Sequence, residues 1–436
     1  MKLRSNQSGY VALLVTSILL LLALIVSLAS SKGVFFQIKV AQNELKARQA
    51  HWKAEGGLEC AFSKAKLLKQ IPADVDECID EMDLDELTFS SEASSLVTSL
   101  VGNTELNKTV EFPSSGPGAI KSTSDLVING AYTSSPDPSK SLGNNLWECT
   151  SVLYFNYFYA TSVNTLHPHQ LSEVPYEGFP ASPAGQEQKC ATTHHSWASS
   201  VADSKDDYRQ SSSMEPFKDV FNMPRSEWFD VMSDNSIFGY VPLSLNSVTL
   251  GSTNDLPLLT FNTNCAEDIV SNIESGHDLV WVYGGCELNT DDFSSIDTAI
   301  DNHLSGDGII LVVQDGIFST KGTHNFKGML YHFISPHYID ADGNALDFTG
   351  WPSLENDSEL DGVIAGLAGT VPINKDKVGY FQHGSFNPLG GFVMDAPGTF
   401  ALFNSALSFQ YNRDVIDNPM KKLKKVYWKK GSWNDL

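Results

Sequence analysis

The sequence is poor in basic residues, with 29 lysines and arginines against 52 aspartates and glutamates and a formal net charge of −23 over 436 residues. Binding to nucleic acid requires a basic surface that neutralises phosphates, so this composition argues against DNA or RNA as a partner. The charge is uneven, because residues 1–70 are net basic, residues 71–420 are strongly acidic and residues 421–436 are basic again. The acidic body should stay soluble and repel other polyanions.

Motifs that mark catalytic or cofactor sites are also missing. The chain has no Walker-type phosphate loop, no GxSxG, no HExxH and no glycine-rich dinucleotide fingerprint. Its six cysteines form no CxxC pair, and their spacing matches no zinc site. We therefore expect a protein that is not an enzyme and that carries no cofactor.

The sequence has a single long apolar run, from Tyr10 to Ser31, and this run contains no charged residue. As a helix its 22 residues would span roughly 33 Å, enough to cross a bilayer core. Three interpretations compete. The run is a secretory signal peptide cut after Ala29, an uncleaved membrane anchor, or a helix that follows a short polar leader, MKLRSNQSG, ending at Gly9.

The pattern beyond the apolar run favours the third interpretation. Apolar residues continue at spacings of three and four, and no proline occurs before Pro72. The spacing predicts one helix from Tyr10 to about Lys69, apolar in its first third and amphipathic in the rest. Its weak points are Gly33 and the pair Gly56-Gly57, because each glycine costs about 1 kcal/mol relative to alanine in a helix.

On these residues the chain resembles the type IV pilins, in particular the PilX-like minor pilins and the pseudopilin K group of type II secretion. The basic leader, Gly9, the apolar helix and the segment AEGGLECAFSKAK (residues 54–66) carry the resemblance. It implies that prepilin peptidase cuts between Gly9 and Tyr10 and that the new amine of Tyr10 is methylated. It further implies a helix that sits in the inner membrane and then packs among other pilins in a filament.

The sequence departs from the pilin pattern at two positions. Tyr10 stands where most pilins have phenylalanine, and Leu14 stands where most have a glutamate that neutralises the terminal amine of a neighbouring subunit. A buried charge without a partner costs several kcal/mol, so a subunit without this carboxylate makes a poor repeating unit. The pseudopilin K group shares the lack and is associated with the filament tip. Leu14 thus indicates a tip or initiation subunit.

Evidence about the side of the membrane on which the body lies is mixed. Lysines and arginines are more numerous after the apolar run than before it, which by the positive-inside rule favours a cytoplasmic body. An even number of cysteines in an acidic body instead suggests disulfides formed in the periplasm, and we give this observation more weight. Sequential pairing is the simplest of 15 possibilities. It would join Cys60 to Cys78, Cys149 to Cys190 and Cys265 to Cys286.

The fold class that we expect is α+β, with the long N-terminal helix, half transmembrane and half amphipathic, followed by a large β-rich body. We divide the chain into a leader (1–9), the helix (10–70), a Ser/Gly/Pro-rich connection (71–145), a mixed β domain (146–250) and a β-rich C-terminal domain with a basic tail (251–436). Short strands between glycine-containing turns favour a sandwich or a solenoid-like sheet. This last domain also resembles the C-terminal region of longer PilX-like proteins from mannose-sensitive haemagglutinin-type pilus systems, notably in GSFNPLGGFVMDAPG and KKGSWNDL.

Two local patterns predict strands and turns in the body. The aromatic and β-branched stretch from Ser151 to Val163 predicts one buried strand, and Asn129-Gly130 within residues 125–133 is compatible with a hairpin.

Two patterns raise the question of a metal. Oxygen ligands alternate in the loop DADGNALD, which suits calcium, but the loop lacks the downstream glutamate of an EF-hand, and we favour a turn between strands. Its candidate ligands are Asp340, Asp342, Asn344 and Asp347. Four histidines also cluster along the chain, and we favour a surface loop for them. They are His167, His169, His194 and His195.

The sequence leaves three functions open. The first is a pilus component that acts in assembly and possibly surface adhesion, with other pilins, prepilin peptidase and the inner membrane as partners. The second is an exported or membrane-anchored adhesin or binding protein outside a filament. The third is a type II secretion pseudopilin.

Overall fold

The computed structural model describes residues 7–68, 71–72, 74–90, 94–111, 120–136, 138–166, 189–304, 307–340, 345–412, 414–423, 426–429, 431–432 and 434–435. The chain forms two compact units. Unit 1 comprises residues 1–112 and 426–436, and unit 2 comprises residues 113–425. Unit 2 is therefore an insertion in the chain of unit 1. This division cuts the chain at other places than the predicted boundaries at residues 70, 145 and 250.

Helices occur near both ends of the chain and among the strands of the body. The helices are α1 (Gln7–Leu68), α2 (Asp76–Met82), α3 (Pro216–Phe221), α4 (Trp228–Met232), α5 (Cys265–Glu274), α6 (Thr290–His303), α7 (Asp357–Leu367) and α8 (Asp414–Leu423). The strands are β1 (Glu86–Phe89), β2 (Ser94–Val101), β3 (Thr104–Glu111), β4 (Ile120–Ser122), β5 (Asp125–Ser135), β6 (Pro138–Gly143), β7 (Leu146–Cys149), β8 (Val152–Tyr154), β9 (Phe158–Thr165), β10 (Lys189–Cys190), β11 (Tyr208–Gln210), β12 (Gly239–Val241), β13 (Leu279–Tyr283), β14 (Cys286–Leu288), β15 (Ile309–Gln314), β16 (Phe318–Lys321), β17 (His324–Phe326), β18 (Gly328–Phe333), β19 (Val378–His383), β20 (Phe386–Pro388), β21 (Phe392–Asp395), β22 (Phe400–Asn404), β23 (Leu407–Gln410), β24 (Tyr427–Trp428) and β25 (Asn434–Asp435).

Unit 1 is a long helix packed on an antiparallel sheet. The sheet has the order β1-β2-β3-β24, and β25 pairs with another part of β3. One face of α1 is buried on it, through side chains at spacings of four, three and four: Ala54, Leu58, Ala61 and Ala65. They meet Leu87, Val97, Leu106 and Val110 of the strands. The predicted single long helix is confirmed, and it begins at Gln7 rather than after Gly9.

Gly57 sets the distance between α1 and the sheet. A Cβ at this position would lie 2.5 Å from Leu84 Cδ1 and 2.7 Å from Ser99 Oγ. The helix therefore approaches more closely than any other residue would allow, which explains a glycine that helix propensity alone disfavours. Gly33 has nothing within 4 Å of such a Cβ.

Unit 2 is built mainly from parallel strands that stack in successive passes of the chain. Each pass contributes one strand to a first sheet, with the order β11-β8-β4-β21-β18-β15-β13-β12, and most contribute another to a second sheet, with the order β14-β16-β19-β22-β5-β9. A third face follows in the same passes. It holds the pair β17-β20, then β23, which lies beside the second half of β5, and then the second half of β9.

Side chains alternate inward and outward along these strands. The inward ones form a continuous core, in which aromatic rings from three neighbouring strands of the second sheet meet one from the first sheet: Phe318, Tyr380 and Phe403, and Phe392. The outer face of the first sheet is covered by α3, α4 and α8, and that of the second by residues around Trp351 and α7. Strands buried on both faces are mostly apolar, as in β15 and β18, each of which carries one buried polar residue, Gln314 and His332.

The first strands of unit 2 stack on its last ones. β21 pairs with β18 on one side and with β4 on the other, so Phe392 lies opposite Ile120. In the second sheet Phe400 lies opposite Asp125. The chain then finishes the stack at β11 and resumes at its other end with β12. The segment 211–238 makes that connection.

Several sequence expectations for the body are wrong in detail. The stretch from Ser151 to Val163 is two strands, β8 and β9, because the chain turns a corner between the first and second sheets. Residues 125–133 form no hairpin, since β5 runs through Asn129-Gly130 with a bulge and pairs in parallel. The region 71–145 holds α2 and β1–β6, in addition to connections. The helices α5 and α6 were not expected within the predicted β region.

Substitution of Gly57 tests how closely α1 packs on the sheet of unit 1. We expect Gly57→Ala to destabilise the contact of α1 with β2 and β3 by about 1–3 kcal/mol, because the added methyl overpacks a closed interface. Amide hydrogen exchange of β2 and β3 in the detergent-solubilised chain measures this local stability. The control is Gly33→Ala, for which space is open and exchange in β2 and β3 should not change. Equal exchange in the two variants would refute the close-packing argument.

Candidate functional site: the N-terminal helix

The first part of α1 is apolar and exposed on every side. Every side chain that the structure describes from Tyr10 to Leu28 and from Lys32 to Gln49 is exposed, with Leu13 and Leu20 at 70% and 71%. Burying apolar surface yields about 25 cal/mol per Å², so a surface of this size calls for cover by lipid or by another protein. The helix is long and apolar enough to cross a membrane.

Two hydroxyl groups inside this apolar stretch are bonded to the backbone of the helix itself. The Thr16 hydroxyl donates to the carbonyl oxygens of Ala12 and Leu13, both at 3.0 Å, and the Ser17 hydroxyl donates to Leu14 O at 2.9 Å. Such bonds to the preceding turn let hydroxyl side chains enter an apolar environment without an unpaired donor.

The two predicted processing residues lie in the first turns of α1. Gly9 is part of the continuous helix, and the side chain of Tyr10 is 73% exposed. Leu14 lies one helical turn after Tyr10 and is 48% exposed. Cleavage after Gly9 and methylation of Tyr10 stay predictions.

A cluster around Trp428 attaches the C-terminal end of unit 1 to α1. The indole ring stacks on Phe62 with a centroid separation of 4.6 Å, and its Nε1 donates to Glu59 Oε1 at 3.1 Å. The Lys108 ammonium lies 4.2 Å from the centre of the indole and 3.3 Å from the same carboxylate. The chain thus returns to the helix after the insertion of unit 2, and β24 completes the sheet.

All six cysteines form disulfides in the sequential order. Cys60 on α1 is joined to Cys78 on α2, Cys149 on β7 to Cys190 on β10, and Cys265 at the start of α5 to Cys286 on β14. Each pair has a Cα–Cα distance between 5.6 and 5.8 Å. Disulfides persist in oxidising compartments, which fits a body outside the cytoplasm.

The candidate calcium loop is described only at its two ends. Asp342 and Asn344 lie outside the described residues, and Ile339 and Ala345 form an antiparallel bridge around them. Asp340 is exposed, and Asp347 is paired with Lys377 at 2.9 Å. Within the part of the chain that the structure describes, no group of three His, Cys, Asp or Glu side chains is arranged to hold a metal ion.

The histidine cluster is likewise divided. His167 and His169 lie outside the described residues. His194 is buried, 3.0 Å from the Thr193 hydroxyl, and is therefore not on the surface that the sequence suggested.

A buried polar cluster that the sequence did not reveal anchors the connection between the two ends of the stack. The Arg225 guanidinium lies 3.3 Å from the Asp395 carboxylate and donates to Ile334 O. The Tyr331 hydroxyl donates to the same carboxylate at 3.0 Å. Burial raises the pKa of Asp395, and Arg225 opposes that rise. The cluster satisfies a buried charge and fixes the segment 211–238 on the first sheet.

A histidine close to this cluster is also fully buried. His332 lies on β18, and its Nε2 is 2.9 Å from Gly316 O. Burial lowers the pKa of His332 to about 4, because it disfavours the charged imidazolium, and the hydrogen bond to Gly316 O only partly opposes this shift.

Compared with models of known protein families, with curated proteins and with solved structures, the chain matches none of them.

His332 gives unit 2 a defined acid sensitivity. Its pKa is lower in the folded state than the usual 6.5, so its contribution to stability is complete above pH 6.5 and is lost as the pH falls toward 4. The loss amounts to about 3 kcal/mol. We expect His332→Gln to flatten the change in unfolding midpoint between pH 7 and pH 4.

Burial also raises the pKa values of Asp315 and Asp395, so these two carboxyl groups stabilise the fold as the pH falls, opposite to His332. Both groups are present in the wild type and in His332→Gln, so the difference between the two pH profiles reports on His332. The matched control is His303→Gln, since His303 is exposed at the end of α6. Parallel pH profiles for the wild type and His332→Gln would show that the imidazole does not titrate in this way.

Proposed function

We propose that this chain is a minor pilin-like subunit of a type IV pilus, of the PilX-like type, that acts in pilus assembly at or near the tip. The observation that carries the proposal is the division of α1 into two parts. In the exposed part, residues 10–28 present apolar surface all round and residues 32–49 also carry charged side chains, while residues 54–65 pack on the antiparallel sheet of unit 1. A helix of this kind suits first the inner membrane and then a bundle of like helices.

The insertion of unit 2 supports a terminal position in the filament. It runs from residue 113 to residue 425, between β3 and β24 of unit 1. We infer that this body is a parallel β-solenoid, on the basis of strands that pair in parallel pass after pass. A body of this size is easier to accommodate at an end than in every repeat of a filament. The absence of a carboxylate at Leu14 supports the same position.

Two other functions are kept as alternatives. An exported or membrane-anchored adhesin would use the same helix only as a signal or an anchor, and the exposed apolar surface of residues 10–28 is compatible with that use. A type II secretion pseudopilin would share the helix and its processing.

The mature N-terminus distinguishes a pilin-like chain from an exported or membrane-anchored adhesin. We expect mass spectrometry to find methylated Tyr10 in cells with prepilin peptidase and Met1 in cells without it. Gly9→Leu should block the cut and serves as the matched control in peptidase-positive cells. An N-terminus at Ser30 would identify a secreted protein, and normal processing without the peptidase would overturn the proposal.

Substitution of Leu14 tests whether the chain is confined to the tip of the filament. We expect label on the wild-type chain to appear only at the ends of sheared filaments. In Leu14→Glu the new carboxylate can pair with the amine of a neighbouring subunit, so label should also appear along the filaments.

Leu13→Glu is the control, because it adds the same charge one residue away on another side of the helix and should not extend the labelling. Even labelling of filaments by the wild-type chain would contradict a tip subunit.

A further inference from the structure

The third face of unit 2 differs from the first two in the cover that the described residues give it. Apolar clusters cover the outer faces of the first and second sheets, whereas within the described residues none lies against the outer face of β17, β20, β23 and the second halves of β5 and β9. The inward residues of these strands belong to the core. The outward residues between them are half-buried or exposed, as on a flat sheet in contact with solvent: Asn325, Asn387, Ser408, Thr133 and Asn164.

These five residues form one row across the stack, which we call the polar ladder. Asn325 is paired with Asn387, Ser408 with Thr133, and Thr133 with Asn164. Asn387 and Ser408 belong to β20 and β23, which contact each other. His383 and Asn404 are paired in the second sheet. Asn387 comes four residues after His383 and Ser408 four residues after Asn404, so the two residues lie at the same position in their passes. Neighbouring strands are 4.7–4.9 Å apart, so the ladder is about 19 Å long.

The ladder carries no charge, although unit 2 belongs to the strongly acidic part of the chain. Amide and hydroxyl groups both donate and accept hydrogen bonds, which suits a ligand rich in hydroxyls. A polyanion would be repelled by the acidic body, and a cation would find no carboxylate in the ladder. The chemistry of the row therefore favours an uncharged, polyhydroxylated ligand.

Hydrogen-bonding capacity is left unused in the middle of the ladder. Asn387 Oδ1 is shielded from solvent and has no hydrogen-bond partner, and Asn387 Nδ2 reaches Asn325 Oδ1 only at 3.4 Å. Asn387 Nδ2 carries a second proton, which can be donated to a ligand hydroxyl.

An exposed aromatic ring stands at one end of the ladder. Trp197 is 60% exposed, and the next residue, Ala198, donates its amide to Asn164 Oδ1 at 2.7 Å. Ala198 has φ +48°, a left-handed conformation that alanine rarely adopts, and the pairing of Ser199 with Val163 holds it there. The strained turn thus keeps Trp197 next to the last rung. The His195 ring lies nearly parallel to the indole with 6.5 Å between the centroids, and the exposed part of the indole offers apolar surface to the C–H face of a sugar.

We propose that the polar ladder and Trp197 bind an uncharged glycan chain laid along the stack of strands. The ladder would supply hydrogen bonds to hydroxyl groups, and Trp197 would stack on one sugar ring at the end. This binding concerns unit 2 alone and goes beyond the proposed function, so it holds or fails whether or not the chain enters a filament.

Retention on immobilised polysaccharides tests the proposal. The full chain in mild detergent is passed over cellulose, chitin and dextran as uncharged probes, and over alginate as a polyanion. We expect retention on at least one uncharged probe and none on alginate. Trp197→Ala and, separately, Ser408→Glu should each reduce that retention about tenfold, a change equivalent to about 1.4 kcal/mol.

Two variants elsewhere in unit 2 control for general effects of substitution. Leu258→Ala removes an apolar side chain that is 90% exposed, and Ser244→Glu adds a charge at another exposed serine. Both should bind like the wild type, and unchanged thermal unfolding would show that all four variants fold. Absence of retention on every uncharged probe, retention on alginate alone, or equal retention by all four variants would each overturn the proposal.

Discussion

Unit 2 depends on the parallel pairing of strands from the two ends of its chain. Thr123 and Met394 are 271 residues apart and are joined by a backbone hydrogen bond, at the place where β4 lies beside β21. Closing a loop of this length costs conformational entropy, and the contacts between the stacked passes have to offset that cost. The core is continuous across this junction, since Ile120 and Phe392 belong to one apolar cluster.

That junction determines which segments of the chain cover the outer face of the first sheet. A stack that ends at β11 and resumes at β12 requires a connection along its length, and the segment 211–238 provides it on the first sheet. Phe217 and Trp228 bury that segment, and Arg225 fixes it to a carboxylate that would otherwise be unpaired. The second sheet is covered by the chain around Trp351. Within the described part of the chain no apolar cluster covers the third face, and polar residues occupy its outward positions.

Unit 1 is organised around a single helix whose two parts have different surroundings. From Ala54 to Ala65 small side chains let the helix pack closely on the sheet, and Gly57 brings it closer still. From Tyr10 to Leu28 and from Lys32 to Gln49 every described side chain is exposed, so the apolar surface needs a partner that the described part of the unit does not supply. Placing unit 2 between β3 and β24 adds a large body to the chain while the sheet is completed by β24 and the stacking of Trp428 on Phe62.

The sequence by itself determined the features that depend on neighbours along the chain. The uncharged run from Tyr10 to Ser31 and the apolar spacing after it indicated α1, because helical hydrogen bonds join residues four apart. The tertiary structure decided what depends on distant partners. The corner that splits residues 151–163 exists because two sheets meet there, and the outward row of Asn387 and Ser408 exists because separate passes stack in register. Pairing between strands is a contact between remote segments, and no local pattern records which segments meet.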